Sequence, residues 1–319
     1  MPCLPRLTAL NAGLSLPRAP AMLRVESPAG GSTLITRAPM SASNIAQYGP
    51  AITWVVSRTT MPSSNVAWDI TGSVAVVTLN RPEARNALTW DMYDALVEAC
   101  DLAEADHNVR VLIIRGSGGA FAAGTDISQF REFSNGDAGV AYERRLDAVI
   151  DRIESLPIPT IAEVDGAAVG GGCAIALACD LRVCSERARF GVPVSRTLGN
   201  CLSIANTARM VDVLGVAVTK DLLLSGRLVD ADEAYQRGLA TLVLPVDQLA
   251  AETIKIAAEL STRAPSTIKA TKTMLLRLRD HRRPAAGSAD DILRECYGSA
   301  DFREGVAAFL EGRKPRFGA

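Results

Sequence analysis

Two glycine-rich stretches could act on a ligand through backbone groups rather than through a reactive side chain. The first reads GSGGAFAAGTD over residues 116–126, and the second reads GGGCAIALACD over residues 170–180. Glycines let a ligand approach the chain closely, and a helix start leaves N–H groups unpaired and favours negative charge. Because each stretch follows a strand-like segment and leads into a helix-like one, the two loops could aim two N–H groups at one oxygen.

Plainer interpretations of these glycines stay open. Either loop could simply be a tight turn that packs between a strand and a helix. Dinucleotide binding is disfavoured, because GSGGAF lacks the last glycine of G-x-G-x-x-G and GAAVGGG does not fit that spacing. No Walker lysine follows either loop, so a P-loop is disfavoured as well.

Side chains that commonly carry catalysis or metals are sparse. The chain has two histidines, His107 and His281, and we interpret both as structural or solvated. Its seven cysteines are scattered, with no C-x-x-C pair. This pattern favours reduced, buried thiols over a zinc site or a disulfide framework. Triad and histidine-based metal chemistry are therefore disfavoured.

The segments around the two loops predict a layered α/β core. NVAWDITGSVAVVTLN predicts two strands joined at Thr71 and Gly72, and TWDMYDALVEACDLAEAD predicts a helix capped by Thr89. VRVLIIRG, TIAEVDG and LRVCSE are expected to be further strands, and DAGVAYERRLDAVIDRIESL a second amphipathic helix. Beyond residue 200 the pattern is mainly helical, interrupted by one predicted strand, ATLVLP. Recurring strand, strand and helix point to an α/β fold.

The two glycine motifs resemble those of one protein family. AFAAGTDI at 120–127 and DGAAVGGGCAIALACDLRV at 165–183 are similar to the two motifs of the crotonase (enoyl-CoA hydratase/isomerase) superfamily. Further matching segments follow in the family's order: LNRPEARNAL at 79–88, ARFGVP at 188–193, SGRLVDADEAYQRGLATLVLP at 225–245 and FREGVAAFLEGRKPRF at 302–317. The chain is identified as a member of that superfamily over about residues 66–317.

The resemblance implies an architecture and partners. It implies a spiral of ββα units with a helical carboxyl-terminal subdomain, and assembly as a homotrimer or homohexamer. We expect an atypical, disordered extension at residues 1–64, the spiral core at 65–245 and a trimerisation subdomain at 246–319. The implied substrate is an acyl-CoA thioester, with coenzyme A as part of the substrate and no separate cofactor or metal.

The resemblance also implies site residues. The backbone N–H groups of Thr125 and Gly171 would form an oxyanion hole around the thioester carbonyl, which would stabilise an enolate. Six further positions would lie along the coenzyme A path: Ala84, Arg85, Ala123, Asp126, Ile127 and Phe309.

The sequence departs from the family at the residues that transfer protons. Hydratases typically carry two glutamates, where this chain has Ala174 and Val194. Their loss should nearly abolish ordinary hydration unless other groups replace them, because general acid–base catalysis contributes roughly 10² to 10⁴ in rate. The polar stretch at 195–206 is the candidate replacement, with Arg196 and Asn200 as tentative catalytic residues.

The general base stays unassigned at this point. Asp126 is the carboxylate nearest the first motif, but in relatives this aspartate is commonly structural. Glu132 and Tyr142 could enter the site from neighbouring helices, and nothing in their spacing selects either. The chain is therefore expected to be an enzyme for hydration, dehydration or double-bond isomerisation, or, in a second interpretation, a non-catalytic acyl-CoA-binding protein.

The charge and hydropathy of the sequence disfavour nucleic acid and membranes as partners. The net charge is −1, without the basic tract that nucleic acid binding requires. No apolar run approaches the roughly 20 residues of a membrane-spanning helix, so no membrane partner is expected.

The first 60 residues differ in composition from the rest. They hold five arginines, one acidic residue and no lysine. The segment is a transit peptide, a disordered extension, or sequence ahead of a functional start at Met61; we favour an extension that is disordered or without function. The expected compartment is the cytoplasm, or an organelle matrix if residues 1–60 are a transit peptide.

Overall fold

The computed structural model describes residues 57–58 and 63–318. Nearly all of the extension expected at 1–64, including Met61, therefore lies outside the described residues. Within the described chain the strands are β1 Ser57–Arg58, β2 Val66–Thr71, β3 Val74–Leu79, β4 Val111–Gly116, β5 Thr160–Val164, β6 Ala167–Val169, β7 Leu181–Ser185, β8 Arg189–Gly191, β9 Val229–Asp230 and β10 Leu242–Leu244.

These strands form two sheets. The larger has the order β1-β2-β3-β4-β5-β7-β10. Its first two pairings are antiparallel and the remaining ones are parallel. The smaller sheet has the order β6-β8-β9, with β6 parallel and β9 antiparallel to β8. The strands predicted around the two glycine stretches are confirmed, whereas β6, β8 and β9, of two or three residues each, were not predicted.

The described part of the chain forms ten α-helices. They are α1 Trp90–Ala105, α2 Gly136–Glu154, α3 Gly171–Ala178, α4 Val194–Thr197, α5 Ile204–Ser225, α6 Ala231–Gln236, α7 Val246–Ser261, α8 Pro265–Arg282, α9 Asp290–Tyr297 and α10 Ala300–Leu310. Short 3-10 turns lie at Pro82–Ala84 and Ile127–Glu132. None of the helices in the described chain combines the length and the apolar character needed to cross a membrane.

Local signals account for the helix boundaries. The Thr89 side chain accepts a hydrogen bond from the backbone N–H of Met92, which confirms the predicted cap of α1. α5 covers most of CLSIANTARMVDVLG and AVTKDLLLSG, the first two helical segments that the sequence predicts beyond residue 200, with a break at Gly215, where φ is 72°. α9 was not predicted.

The larger sheet is buried on both faces. Along β4, Leu112 and Ile114 pack into one apolar cluster, whereas Val111 and Ile113 pack into another on the opposite face. Side chains alternate between the two faces of a strand, and a sheet covered on both faces gives a nearly continuous apolar run. Helix α7 contributes to the second cluster, so the first helix of the predicted carboxyl-terminal subdomain packs on the core sheet.

A buried asparagine ties the first glycine stretch to the chain before α1. Asn86 has a left-handed backbone, with φ of 55°. Its side-chain amide donates to the carbonyls of Ser117 and Ala120, at 2.9 and 2.7 Å, and its Oδ1 accepts from the N–H of Arg81. One side chain thereby satisfies three backbone groups and fixes the entry to the loop.

Replacing Asn86 with Ala should destabilise the protein by at least about 2 kcal/mol, because buried backbone groups lose their partners and alanine disfavours positive φ. Urea unfolding measures this change. Asn108→Ala, at an exposed turn, is the matched control and should stay within about 0.5 kcal/mol of the parent. Equal losses in the two variants would show that Asn86 does not hold the loop.

Candidate active site

The two glycine loops lie against each other. The N–H of Ala122 donates to the carbonyl of Ala167 at 2.8 Å, and the N–H of Val169 donates to the carbonyl of Ala122 at 2.9 Å. Beyond this bridge, a Cβ on Gly172 would lie 2.3 Å from the Ala122 oxygen. A side chain cannot be accommodated there, so Gly172 is required for the loops to meet.

Thr125 and Gly171, one on each loop, are neighbours. The position of a Cβ on Gly171 would lie 3.3 Å from Thr125 Oγ1. Neither backbone N–H has a protein acceptor within the described chain. Two backbone donors that can serve a ligand therefore stand close together.

The two donors are oriented by different means. Gly171 is the first residue of α3, where N–H groups are unpaired as expected for a helix start. Thr125 instead precedes a 3-10 turn, and its flanking residues pair with Leu88: Leu88 N–H donates to Gly124, and Asp126 N–H donates to Leu88. The expected helical segment follows both loops, as a 3-10 helix at Ile127–Glu132 and as an α-helix that begins at Gly171.

Three buried hydroxyls form a chain beside these donors. Thr125 Oγ1 lies 2.8 Å from the Tyr93 hydroxyl and 2.9 Å from the Tyr142 hydroxyl. Burial raises the pKa of both tyrosines well above the ordinary value. Both hydroxyls therefore stay protonated at neutral pH and can donate hydrogen bonds, but they are poor bases.

Sequence reasoning missed Tyr93 and gave no reason to select Tyr142. A signal for Tyr93 was present, because it lies on the apolar stripe of α1 with Leu96, Cys100 and Ala103. That stripe predicts that Tyr93 faces the core, but it does not show which loop the hydroxyl reaches.

The positions of the missing glutamates are apolar in space as well as in sequence. Ala174 is buried within α3, and Val194 begins α4 and packs against the main apolar cluster. Neither can exchange a proton. Ser195 and Arg196, which follow Val194, are exposed, and the Ser195 hydroxyl donates to the Leu223 carbonyl at 2.8 Å.

The tentative role of Arg196 receives no support from this geometry. Its guanidinium has no hydrogen-bond or ion-pair partner among the described residues, and its Cβ lies next to Gly226 at the end of α5. No hydrogen bond or ion pair joins it to either glycine loop in the described structure. Its surroundings are those of a surface arginine.

Asn200 belongs to a second polar cluster. Its amide donates to the Tyr297 hydroxyl at 2.9 Å, and that hydroxyl donates to Oε1 of Glu143. The N–H of Ser203 donates to Oε2 of the same carboxyl at 2.9 Å. Burial raises the pKa of Glu143 to about 8. The Tyr142 ring, 6.1 Å from the Tyr297 ring, stands between this cluster and Thr125.

Most of the residues expected along the coenzyme A path lie where residues 84–88 run beside residues 123–127, a pairing that we call the seam. The Arg85 carbonyl accepts from the Ala123 N–H at 3.0 Å, next to Ala84 at the end of its 3-10 turn. Asp126 and the buried Ile127 continue the seam on the loop side. Phe309 differs, because it is exposed on α10 and no hydrogen bond or ring contact joins it to this seam in the described chain.

Asp126 has the environment of a structural carboxylate. It accepts from the Arg81 guanidinium at 2.7 Å and from the N–H and hydroxyl of Ser128. Partial burial opposes ionisation, but these hydrogen bonds outweigh it and lower the pKa of Asp126. A carboxylate stabilised in this way is a weak base, and Glu132 is exposed on the neighbouring turn.

Comparison with known proteins agrees with this arrangement. The sequence profile of the enoyl-CoA hydratase/isomerase family matches residues 69–319. A Thermus thermophilus protein provisionally named as an enoyl-CoA hydratase is 37% identical over 254 residues, which cover 77% of this chain and 98% of the relative. The short-chain-enoyl-CoA hydratase of Clostridium acetobutylicum is 34% identical over 256 residues, covering 80% and 97%.

A solved structure extends the likeness to three dimensions. Methylmalonyl-CoA decarboxylase in complex with 2-nitronate-propionyl-CoA matches with a TM-score of 0.73 and 27% identity, over 80% of this chain and 98% of that one. Sequence and fold agree on one assignment. The chain belongs to the enoyl-CoA hydratase/isomerase family, the crotonase superfamily, as an enzyme of the hydratase/isomerase type.

Proposed function

We propose that this enzyme binds acyl-coenzyme A thioesters, and that the N–H groups of Thr125 and Gly171 hold the thioester oxygen while it becomes an enolate. The observation that carries the proposal is the pair of N–H groups on two touching loops that have no acceptor among the residues the structure describes. Negative charge grows on that oxygen as the enolate forms. One preorganised donor contributes about 3 kcal/mol to such a transition state.

The coenzyme A moiety would follow the seam formed by residues 84–88 and 123–127. Arg85, whose carbonyl accepts from the Ala123 N–H on this seam, has an exposed side chain. An exposed guanidinium at this point suits the phosphates of the coenzyme.

Hydration, dehydration and double-bond isomerisation all require a group that exchanges protons beside the enolate. Ala174 and Val194 cannot do so, Asp126 is held by Arg81, and the buried tyrosines keep their protons. Hydration of simple enoyl thioesters should therefore be slow, and substrates that supply their own reactive group should be favoured.

Decarboxylation is a second candidate, favoured by the same lack of a base. In an acyl-CoA with a carboxylate on the carbon next to the thioester, the bond to the carboxylate carbon breaks and carbon dioxide leaves. The bonding electron pair forms the enolate, which then takes a proton from water. Two backbone donors stabilise this enolate without any proton-abstracting side chain.

A substrate panel separates these reactions. On simple enoyl-CoA thioesters we expect kcat/KM at least about 10²-fold below that of a hydratase with both glutamates, because acid–base catalysis is missing. Loss of the conjugated enoyl absorbance measures hydration, and carbon dioxide release from methylmalonyl-CoA measures decarboxylation. Hydration as fast as in the control enzyme would contradict our interpretation of Ala174 and Val194. Tight binding without turnover across the panel would instead favour a non-catalytic acyl-CoA-binding protein.

The N–H of Gly171 can be tested by comparing two substitutions at that position. Gly171→Pro removes the N–H, but its Cβ would also lie 2.3 Å from the Tyr93 hydroxyl. Gly171→Ala introduces the same Cβ and keeps the N–H, so it is the matched control. We expect kcat/KM of the proline variant to be about 10² to 10³ below that of the alanine variant, with both folded.

The measurement uses whichever acyl-CoA of the panel turns over fastest, and circular dichroism checks the fold of both variants. Proline is well tolerated at the first position of a helix. Equal activity in the two folded variants would rule out the oxyanion role of this N–H.

The expected trimeric or hexameric assembly is also proposed. Met274, Leu275 and Leu278 lie on α8 with more than half of each side chain exposed, and such patches mark interfaces. Light scattering of the double variant Leu275→Glu/Leu278→Glu should show a smaller mass than the parent. Gln236→Glu, on the exposed side of α6, should leave the mass unchanged. A monomeric parent would contradict the proposed assembly.

A further inference from the structure

We propose that the Tyr93 hydroxyl is a third hydrogen-bond donor to the enolate oxygen, acting beside the two backbone donors. The inference rests on the proposed function and names a substrate-contacting side chain for it. Three observations support it: the number of protons in the hydroxyl chain, the position of the Tyr93 hydroxyl at one end of that chain, and the neutral charge of that hydroxyl.

The hydroxyl chain contains one more hydroxyl proton than it has hydrogen bonds. Tyr142, Thr125 and Tyr93 carry three hydroxyl protons, and the chain contains two hydrogen bonds. No other acceptor lies within hydrogen-bond distance of these hydroxyls among the described residues. One buried proton is therefore without an acceptor, which is unfavourable unless a ligand or water supplies one.

The position of Tyr93 allows this spare proton to lie beside the backbone donors. Its hydroxyl lies 2.3 Å from where a Cβ on Gly171 would stand, so it fills space that only glycine leaves. When Tyr142 donates to Thr125 and Thr125 donates to Tyr93, the Tyr93 proton is free at this point. An oxygen held by the N–H groups of Thr125 and Gly171 is the acceptor that this arrangement lacks.

Charge decides what Tyr93 can do for that oxygen. Tyr93 is almost completely buried, and both burial and the nearby Glu143 carboxyl raise its pKa. The hydroxyl is therefore neutral and cannot remove a proton from the substrate. A neutral donor in a water-poor site favours the enolate over the uncharged thioester, since the hydrogen bond strengthens as charge develops.

The test uses two probes that differ in charge at the acyl group. 2-Nitronate-propionyl-CoA is an anion whose charge is delocalised over its nitronate oxygens and its thioester oxygen, so that the thioester oxygen resembles that of an enolate. Propionyl-CoA represents the uncharged thioester. Tyr93→Phe removes the hydroxyl and keeps the ring. We expect its Kd for the nitronate to rise at least about tenfold, which is about 1.4 kcal/mol, and its Kd for propionyl-CoA to change less than twofold. In the panel assay the loss should appear in kcat rather than in KM.

Two further variants locate the effect. Tyr142→Phe shortens the chain at its far end but leaves the Tyr93 proton free, so nitronate binding should weaken less than threefold. Tyr235→Phe, on the exposed surface of α6, should change neither Kd. Equal weakening in Tyr142→Phe and Tyr93→Phe would overturn the proposal, because the chain would then act by orienting Thr125.

Other outcomes separate this proposal from the one on which it rests. Nitronate binding that is tight in the parent and unchanged in Tyr93→Phe would overturn the role of Tyr93 and leave the backbone donors in place. A parent protein that binds neither probe would overturn the proposed function, and the inference about Tyr93 would fall with it.

Discussion

The site depends on how closely two stretches of backbone can approach when no side chain intervenes. A Cβ on Gly172 would overlap the Ala122 carbonyl, and a Cβ on Gly171 would overlap the Tyr93 hydroxyl. The two glycines therefore leave room for different neighbours. Gly172 leaves room for the backbone of the first loop, and Gly171 leaves room for the Tyr93 side chain of α1. Larger residues at these two positions would move the N–H groups of Thr125 and Gly171 apart, even though no catalytic side chain would be removed.

The rest of the fold holds these loops at fixed ends. β4 enters the first loop from the centre of a sheet buried on both faces, and β6 enters the second from the smaller sheet. The side chain of Asn86 also holds the first loop in place, because its amide donates to the backbone carbonyls of Ser117 and Ala120. A site made of backbone donors needs this kind of support, because a backbone N–H cannot reorient without moving its strand or helix.

Much of this could be predicted from the sequence, for identifiable reasons. Helices α1 and α2 have a helical period, β3 to β5 are short and mostly apolar runs, and the two loop motifs point to Thr125 and Gly171 by resemblance. The strands β6, β8 and β9 are too short to give a periodic signal. Tyr93 was missed because its role depends on which loop α1 packs against, which is a tertiary fact.

The stretch at 195–206 has hydrogen-bond partners that the sequence alone did not suggest. The sequence predicts these polar residues as replacements for the missing glutamates, but Asn200 donates to the Tyr297 hydroxyl and the Ser203 N–H donates to Glu143. The side chains of Ser203 and Asn206 donate to Asp147. Glu143, Asp147 and Asp151 recur every four residues along α2 and so form one acidic stripe. This spacing is visible in the sequence alone. The polar residues at 195–206 include the hydrogen-bond partners of this acidic stripe.

The chemistry around the two donors therefore consists of hydrogen-bond donors rather than bases. The hydroxyls of Tyr93 and Tyr142 stay protonated, Asp126 is neutralised by Arg81, and Glu143 is turned toward Tyr297 and Ser203. Under the proposed function, such a site would stabilise negative charge on an oxygen far better than it would remove a proton from carbon. It suits reactions in which the enolate arises from a bond that the substrate itself can break.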